Sequence, residues 1–385
     1  MRVLALVSSL DPLRGGTQSA TVNSLLAARR AGVGIEVAVP ERTTARERSR
    51  VLVDSLEQAG ITVRTFPPLA RPAELADRWS LSPAQVVWVA RNLRRYDVVH
   101  INAVWALGLL ATLVMARLTR IPTVVTPHES LTAFDIDRSR TNLRRRQKLL
   151  LKVLYKRWTT LFVLTSQLEA EDSLPGSTRL RTIPFPIADP RRPLPPLRPR
   201  AKGHTLRVGF LGRFDPKKNL DLLIDAVAEL PGHVRLLVAG DGPADLVAQM
   251  HRRAKDVGVQ DRIEWLGFVS ATERPAFLAG LDVLAMPSVF ESFGMSAAEA
   301  MLHGVPVLVS ERTGIAEVIR RHGGGEIVAP HTRAIADALA RLDADRPRLD
   351  ALAAEGQAAA QSELGFVEVG AALKDAYELA SGGRC

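Results

Sequence analysis

Short apolar runs alternate with amphipathic stretches over most of this 385-residue chain. Between the apolar runs of the first half, hydrophobic residues recur at helical spacing, for example over 19–31, 83–94 and 107–118. Such alternation predicts βαβ units and a parallel sheet. The predicted strands of the first half are 3–7, 35–39, 61–65, 98–101, 123–126 and 161–164.

A proline-rich segment interrupts the alternation, which then restarts. Proline lacks a backbone donor and disrupts both helix interiors and central strands, so we predict a linker over 186–204. The prolines of this region are Pro184, Pro186, Pro190, Pro193, Pro195, Pro196 and Pro199. Further strands are predicted at 206–211, 234–239, 263–266, 283–286, 305–309 and 326–328, and helices at 219–229, 243–257, 272–278, 296–303 and 333–342.

These patterns predict an α/β architecture with two doubly wound, Rossmann-like domains that face a cleft. We expect the domains over 1–185 and 205–361, followed by a last amphipathic helix over 362–380. The length of the chain agrees with this division, because one domain usually takes roughly 100–200 residues.

Composition agrees with a folded globular protein, with 46% hydrophobic and 24% charged residues. The single cysteine, Cys385, has no partner within the chain, which excludes an intramolecular disulfide and fits a reducing compartment. The apolar residues 1–7 are soon interrupted by Asp11 and Pro12, so they fit a buried strand better than an export signal. The longest apolar run, 103–116, is shorter than the ~20 residues of a membrane-spanning helix. We therefore expect a cytoplasmic protein.

Charge is distributed unevenly along the chain. Residues 1–200 hold 31 Lys and Arg against 16 Asp and Glu, whereas residues 201–385 hold 20 against 25. A basic half fits a nucleic acid, an anionic membrane or an anionic substrate.

The densest part of the basic half, 138–157, has nine basic residues and no acid, interleaved with leucines, which predicts a basic amphipathic helix. That helix either lies on an anionic membrane or packs its apolar residues on its own domain, and the scarcity of stacking aromatics disfavours RNA.

Glu291 and Glu299 are the leading candidates for ligand binding. Glu291 lies in a glycine-containing loop after the predicted strand 283–286, and ligands of open α/β sheets bind outside such strand ends. Glu299 falls in the first turn of the helix that is predicted next. A capping box is the alternative for Glu299, with Ser296 as the N-cap and Glu299 reaching back to it.

Cations at the start of the second domain suit a diphosphate. Arg213 follows the strand 206–211 and Lys218 precedes the next helix, so a fork-shaped guanidinium and a point charge can hold a diphosphate without a metal. For Lys217 we favour a solvated basic turn. Asp135 and Asp137 have the spacing of a metal-binding pair, but they follow no predicted strand and we favour no metal site there.

Three weaker signals lie in loops that follow predicted strands. Gly15 and Gly16 precede the first helix, where they either allow a ligand to approach the backbone and the helix N-terminus closely or form an ordinary tight turn between strand and helix. The segment Gly240-Asp-Gly-Pro243 is either a plain turn or part of the cleft. His128 follows the strand 123–126, where it either faces the cleft or serves as a hydrogen-bonded structural histidine.

Taken in order, these motifs resemble glycosyltransferase family 4, whose members are retaining GT-B enzymes that use nucleotide-sugar donors. The resemblance covers almost the whole chain and is most specific in the second half. The segments that carry it are Gly212-Arg213, Lys218-Asn219, Gly240-Asp-Gly-Pro243, Leu266-Gly-Phe-Val269 and Glu291-Ser-Phe-Gly-Met, followed by Glu299. The chain departs from the family at Arg312-Thr-Gly314-Ile-Ala-Glu317, where Gly-Gly followed by Ile or Pro and Glu is common.

The resemblance implies four catalytic residues. Arg213 and Lys218 would hold the donor diphosphate and stabilise its departing charge. Glu291 would accept hydrogen bonds from hydroxyls of the donor sugar, and His128 would lie near the reaction centre.

The remaining donor contacts follow from the same resemblance. Glu299 would bind the ribose hydroxyls, Val269 would seat the base through its backbone, and Gly16 would approach the diphosphate or sugar from the first domain. The backbone that approaches the sugar and phosphate would be contributed by Phe293, Gly294, Met295 and Ser296.

The resemblance also implies partners and a location. A UDP- or GDP-linked hexose-type sugar would be the cosubstrate, with no resident cofactor and no metal. The acceptor would be a hydroxyl of a glycan, a lipid-linked intermediate or a small molecule, and the last helix would brace the first domain. We expect a cytoplasmic enzyme, peripheral at the inner face of the membrane if 138–157 meets lipid, and no nucleic-acid partner. Two alternatives stay open: a sugar-nucleotide epimerase or phosphorylase of the same architecture, and a non-catalytic basic protein that binds membrane or nucleic acid.

Overall fold

The computed structural model describes residues 1–12, 15–40, 46–69, 82–189, 191, 193–197 and 205–382. The chain divides into two compact units, the first formed by Met1–Pro186 with Phe366–Cys385 and the second by Ile187–Gly365. The predicted alternation of strands and helices is confirmed in both units, and each is built on one parallel sheet. Cys385 and part of the predicted linker lie outside the described residues.

The first unit has a seven-stranded sheet in the order β3-β2-β1-β4-β5-β6-β7, with parallel pairing throughout. Its strands are β1 (Arg2–Val7), β2 (Gly34–Pro40), β3 (Thr62–Phe66), β4 (Val98–Asn102), β5 (Thr123–Thr126), β6 (Leu161–Leu164) and β7 (Leu180–Thr182). The described helices before Pro186 are α1 (Gly16–Arg30), α2 (Arg46–Gln58), α3 (Pro83–Asn92), α4 (Leu107–Thr119), α5 (Ala133–Asp137), α6 (Asn142–Trp158) and α7 (Gln167–Ser173).

Strand β1 shows why these apolar runs are continuous rather than alternating. Successive side chains of a strand point to opposite faces, so Val3 and Ala5 enter one hydrophobic cluster and Leu4 and Leu6 enter another. Both faces of the parallel sheet are therefore buried, as expected when helices cover each side.

Side-chain caps fix the starts of helices that the apolar pattern alone leaves imprecise. Ser82 Oγ accepts a hydrogen bond from Gln85 N, and Pro83 follows as the first helical residue. Thr141 likewise accepts from the amide of Arg144, so the basic helix α6 begins at Asn142. The predicted range of 138–157 was therefore wrong at its start, because Thr141 provides the cap.

The second unit has a six-stranded parallel sheet in the order β10-β9-β8-β11-β12-β13. Its strands are β8 (Leu206–Leu211), β9 (Val234–Ala239), β10 (Ile263–Gly267), β11 (Val283–Met286), β12 (Val307–Ser310) and β13 (Gly325–Val328). Its helices within the described residues are α8 (Leu220–Ala228), α9 (Ala244–Asp256), α10 (Arg274–Ala279), α11 (Met295–Leu302), α12 (Ala316–His322), α13 (Thr332–Ala344) and α14 (Arg346–Glu363). The sequence pattern missed α12, which is short, and α14, whose many alanines blur the contrast between its faces.

Each sheet reverses its strand order at one place, and ligands of open α/β sheets bind at such switch points. In the first unit, β1 lies between β2 and β4, and in the second unit β8 lies between β9 and β11. The loops that follow β8 and β11 contain 212–219 and 287–294. The second sheet therefore brings these two predicted ligand loops together at its switch point.

The last helix, α15 (Phe366–Ala380), packs against α1 in the first unit. The approach is close, because a Cβ atom at Gly370 would lie 2.4 Å from the carbonyl oxygen of Ala27. The helix also adds a polar contact in the interior, where the hydroxyl of Tyr377 lies 2.8 Å from Nδ1 of His100.

Candidate active site

The loops at the carboxyl ends of β8 and β9 are packed tightly together. A Cβ atom at Gly240 would lie 1.9 Å from the carbonyl oxygen of Gly212, and one at Gly242 would lie 2.7 Å from Cβ of Phe214. The amide of Phe214 donates to the carbonyl of Asp241 at 2.8 Å. The glycines of 240–243 therefore allow this turn to support the backbone of the Arg213 loop.

The loops after β8 and β11 are joined through their backbones. Asn219 adopts the left-handed conformation, with a φ of 52°, and its side-chain amide donates to the carbonyl of Pro287 at 2.8 Å. The carbonyl of Lys217 accepts a hydrogen bond from the amide of Val289 at 2.7 Å. Asparagine suits this position because its short polar side chain tolerates the left-handed region. These bonds fix the spacing between the two lysines and Glu291.

Glu291 lies between two ammonium groups. Its Oε1 atom is 2.6 Å from Nζ of Lys218 and 3.6 Å from Nζ of Lys217, and all three side chains are largely buried, with 12% of Glu291 and 17% of each lysine exposed. Burial by itself would raise the pKa of Glu291, but the charges of Lys218 and then Lys217 outweigh it and hold the pKa below its ordinary value. Glu291 is therefore ionised at neutral pH.

The same Oε1 atom receives no hydrogen bond of good geometry from the described residues. Buried polar atoms are normally satisfied, so an ionised oxygen in this state is suited to accept a hydrogen bond from a ligand hydroxyl. The prediction for Lys217 was wrong, since the turn that carries it faces the buried carboxylate rather than solvent.

The capping box predicted around Ser296 does not form. Helix α11 begins at Met295 after Gly294, which has a φ of 105° and serves as the N-cap. The hydroxyl of Ser296 lies 3.4 Å from the sulfur of Met286, and both carboxylate oxygens of Glu299 contact Nη1 of Arg274, at 2.9 and 2.8 Å. Because the helix starts earlier than predicted, Glu299 also lies beyond its first turn. This outcome removes the capping box as the explanation for Glu299.

Arg274 was not singled out by sequence reasoning, because α10 is short and its basic side chain has no motif around it. Burial raises the pKa of Glu299, and the ion pair with Arg274 only partly opposes this shift. Arg274 therefore orients a largely buried carboxyl group at the edge of the candidate site.

The other predicted donor residues of the second unit occupy separate positions around these loops. Arg213 is exposed and forms no ion pair or hydrogen bond with other residues that the structure describes. Val269 is half-buried just after β10 and follows Phe268, whose side chain is exposed. Phe293 is a core residue, and its carbonyl accepts a hydrogen bond from the amide of Ile315 at 2.6 Å.

In the first unit, Gly16 is the first residue of α1, and Gly15 before it has a φ of 120°. The first amides of a helix lack intrahelical partners, so the start of α1 offers donors to an anion. The structure thus places Gly16 after the strand at the switch point of the first sheet.

His128 follows β5 in a strained loop, with a φ of 52° at His128 and 70° at Glu129. The hydroxyl of Thr21 donates to the carbonyl of Thr17, so it can accept from Nε2 of His128, which lies 3.3 Å away. Burial lowers the pKa of His128 to about 4, which keeps the ring neutral. Its Nδ1 atom is buried and has no hydrogen-bond partner among the described residues. A neutral histidine with an unpaired ring nitrogen in left-handed backbone fits a functional position better than a structural one.

Glu169 holds this loop in place, and sequence reasoning missed it. The buried carboxylate accepts a hydrogen bond from the amide of Glu129 at 2.7 Å, and from the amide and the hydroxyl of Thr165 at 2.8 and 2.7 Å. Burial raises the pKa of Glu169, and these three donors oppose the shift. The signal in the sequence is weak, since Glu169 lies in the short helix α7 well away from His128 along the chain.

Asp135 and Asp137 are committed to separate ion pairs. Asp135 accepts from Lys148 at 2.6 Å and from the indole of Trp105 at 3.2 Å, whereas Asp137 pairs with Arg145 at 3.0 Å. Within the described ranges, no group of three or more His, Cys, Asp or Glu is placed to hold a metal ion.

Helix α6 has both a packed and an exposed apolar face. Tyr155 is buried, whereas Leu143, Leu150 and Val153 are 68%, 63% and 60% exposed. Of the two alternatives left open for this helix, packing of its apolar residues on their own domain does not hold for these three side chains. No helix of the described chain is both long enough and apolar enough to cross a membrane.

Comparison with known proteins adds relatives that match both units. Residues 15–186 match the glycosyl transferase 4-like domain, and residues 205–345 match the glycosyl transferases of group 1. A 2-deoxystreptamine glucosyltransferase from Streptomyces kanamyceticus is 30% identical over 325 residues, covering 78% of this chain and 77% of that protein. A D-inositol 3-phosphate glycosyltransferase from Xylanimonas cellulosilytica is 37% identical over 175 residues, covering 45% of this chain and 42% of that protein.

Solved structures share the fold over nearly the whole chain. HepE from Anabaena, in complex with UDP and glucose, has a TM-score of 0.75 and 22% identity, covering 97% of this chain and 98% of that one. Sucrose-phosphate synthase from Thermosynechococcus elongatus has a TM-score of 0.76 and 18% identity, with complete coverage of both chains. The predicted GT-B fold is confirmed by these similarities.

Proposed function

The chain belongs to the glycosyltransferases that join a 4-like domain to a group 1 domain, and on that premise we propose which residues perform the transfer. It moves a hexose-type sugar, with retention of configuration, from a nucleoside-diphosphate sugar to an acceptor hydroxyl. The observation that carries the proposal is the ionised Glu291 at the switch point of the second sheet, which is largely buried between the ammonium groups of Lys217 and Lys218. The comparisons support neither an epimerase nor a non-catalytic binding protein.

The proposed mechanism centres on the departing diphosphate. Arg213 and Lys218 neutralise its growing negative charge while the bond from the anomeric carbon to the phosphate oxygen breaks and that carbon becomes positive. The acceptor hydroxyl attacks from the face that the diphosphate leaves and passes its proton to the departing phosphate oxygen. Each charge-assisted hydrogen bond contributes ~1.5–3 kcal/mol, and preoriented charges cost no reorganisation during the reaction. Glu291 accepts hydrogen bonds from the sugar hydroxyls.

The rest of the donor is held by the surrounding loops. Glu299, oriented by Arg274, binds the ribose hydroxyls, and Val269 seats the base through its backbone. Backbone amides of Gly294, Met295 and Ser296 approach the sugar and phosphate. UDP- and GDP-linked sugars are the donors proposed.

The acceptor that the relatives support best is a polar small molecule. The relative that matches more than three quarters of both chains is named for transfer to 2-deoxystreptamine. A glycan or a lipid-linked intermediate is the other acceptor class, and it would be docked on the basic first unit.

Ligand-observed NMR with UDP-, GDP-, ADP- and dTDP-linked sugars tests the donor site. We expect one donor to bind, and its binding to weaken at least tenfold in Glu291→Ala and in Lys218→Met. The exposed Lys255→Met on α9 is the matched control for loss of a lysine. Binding that both site variants leave unchanged would contradict the assignment, as would no binding by any donor.

We also propose that α6 places the first unit on an anionic membrane surface. Its exposed Leu143, Leu150 and Val153 offer an apolar contact, and Leu118 at the end of α4 is 77% exposed. A depression of about 570 Å³ adjoins Val153 and is lined by Arg117, Lys156, Arg157, Trp158 and Arg179, with no acid among them. Apolar and basic side chains on one face are typical of helices that lie in a lipid interface.

Vesicle sedimentation tests the membrane proposal. We expect binding to phosphatidylglycerol vesicles at low salt, little binding to phosphatidylcholine vesicles, and a loss of several-fold in the double variant Leu150→Ser, Val153→Ser. The control is Leu379→Ser, an exposed apolar residue on α15. No sedimentation with anionic vesicles at low salt would remove the proposal and leave α6 as a solvated basic helix.

A further inference from the structure

The candidate donor site contains one cation that the proposed diphosphate contact does not use. Lys218 is the lysine assigned to the diphosphate, yet Lys217 also lies within ion-pair distance of the same Glu291 oxygen, at 3.6 Å. Both lysines are equally buried, so neither is a mobile surface charge. The ammonium group of Lys217 therefore has no function in the mechanism proposed so far.

Binding of a diphosphate changes the charge balance at Lys218. Lys218 is the closer partner of Glu291, at 2.6 Å. A diphosphate that engages Lys218 competes for the same ammonium group. Without another cation, Glu291 would then be a buried carboxylate with a weakened partner, and such a group either destabilises the site or takes up a proton.

We propose that Lys217 is a positioning residue that neutralises Glu291 while Lys218 is engaged by the donor diphosphate. This inference rests on the proposed function, which gives Lys218 to the diphosphate and Glu291 to the sugar. Lys217 acts through Glu291 and keeps its acceptor oxygens ionised for the sugar hydroxyls.

The backbone of Lys217 is held in a manner that fits this role. Its amide donates to Oδ1 of Asp215 at 2.9 Å, and its carbonyl accepts from Val289, two residues before Glu291. Lys217 and Glu291 are therefore attached to one connected piece of backbone, and their separation can persist when Lys218 changes partner.

The charged groups that act on Glu291 are Lys218 and Lys217. Arg312, whose carbonyl accepts from the amide of Glu291, has its guanidinium 5.6 Å from the ring centre of Phe290. Arg213 shares the loop of the lysines and is exposed. Removing both lysines should therefore leave Glu291 with burial as the dominant influence, which raises its pKa.

A double-mutant cycle of thermal stability, measured without ligand, tests whether either lysine alone can neutralise the carboxylate of Glu291. Lys217→Met, Lys218→Met and the double variant are melted at pH 8 and pH 5, each with Glu291 and with Glu291→Gln. At pH 8, we expect the melting temperature of each single variant to be close to that of the Lys255→Met control. We expect the fall in melting temperature of the double variant to exceed the sum of the two single falls by about 5 °C. This non-additive part of the fall in melting temperature should shrink at pH 5, where the unpaired carboxyl can take up a proton. It should disappear when Glu291 is replaced in Glu291→Gln.

The cycle distinguishes the positioning role from others. Strictly additive shifts, or an excess that persists with Glu291→Gln, would overturn the inference. If the shifts are additive and Lys217→Met weakens binding of pyrophosphate as much as Lys218→Met does, Lys217 is instead a second phosphate ligand. Failure of the donor assignment is seen separately, as nucleotide-sugar binding that Lys218→Met does not change.

Discussion

Glu169→Gln is the most informative single substitution in the first unit, because it changes one buried carboxylate and nearly preserves its shape. One carboxylate oxygen accepts from the amide of Glu129, and the other accepts from the amide and the hydroxyl of Thr165. A glutamine amide has one acceptor and one donor. Whichever way it is oriented, its NH₂ group faces a backbone N–H that also needs an acceptor.

The magnitude follows from these contacts. With the amide oxygen facing Thr165, the protein loses one charge-assisted hydrogen bond, worth ~1.5–3 kcal/mol, and leaves the buried N–H of Glu129 unsatisfied, at a cost of ~1–3 kcal/mol. We expect a loss of about 3 kcal/mol in the free energy of unfolding, or about 6–12 °C in melting temperature for a domain of roughly 150–250 residues. The left-handed backbone of His128 and Glu129, which costs roughly 1–2 kcal/mol per residue, would lose its brace.

Thermal melting and amide hydrogen exchange together test this reasoning. The matched control is Glu171→Gln, on the same helix but exposed, where we expect a shift of less than about 0.5 kcal/mol. In Glu169→Gln, exchange of the Glu129 amide should accelerate more than exchange in β1. A melting temperature equal to that of the control, or unchanged protection of Glu129, would refute the bracing role.

Three further substitutions test packing and capping. Ser296→Ala should change the free energy of unfolding by less than about 0.5 kcal/mol by urea titration, whereas loss of a true N-cap costs ~1 kcal/mol. Gly294→Ala should destabilise by about 2 kcal/mol in the same titration, because alanine is strained at a φ of 105°, and wild-type stability would contradict the assigned cap. Gly370→Ala should lower the melting temperature even though alanine favours helix by ~1 kcal/mol, because its Cβ atom would meet the carbonyl of Ala27; a higher melting temperature would show that α15 can shift at little cost.

Most of the secondary structure and the choice of ligand loops were predictable from local pattern. Apolar runs bounded by turn residues located twelve of the thirteen strands that the structure describes, and among these the three-residue β7 was not indicated. The loops after β8 and β11 were identified because polar and glycine residues follow buried strands there. Boundaries were less accurate at α6 and α11, where the cap is a single residue, Thr141 or Gly294, that the apolar pattern does not report.

The role of Lys217 shows what local pattern cannot decide. In the sequence it is one of two adjacent lysines in a polar turn, and nothing nearby distinguishes it from a solvated charge. Its side chain is buried because the loop after β11 folds over it, and that loop lies 70 residues further along the chain. Arg274 and Glu169 were overlooked for the same reason, since their partners are distant in sequence.

The sequence by itself determined the fold class and the family, and it indicated the loops of the candidate site, because strand periodicity and motif order are local properties of the chain. Tertiary structure decided which charges meet. It paired Glu291 with both lysines and Glu299 with Arg274, it placed Glu169 under the loop of His128, and it left Leu150 exposed on a basic helix. The physical reason is that electrostatic interactions and burial depend on separation in space, and strand order brings together loops whose positions along the chain carry no record of that proximity.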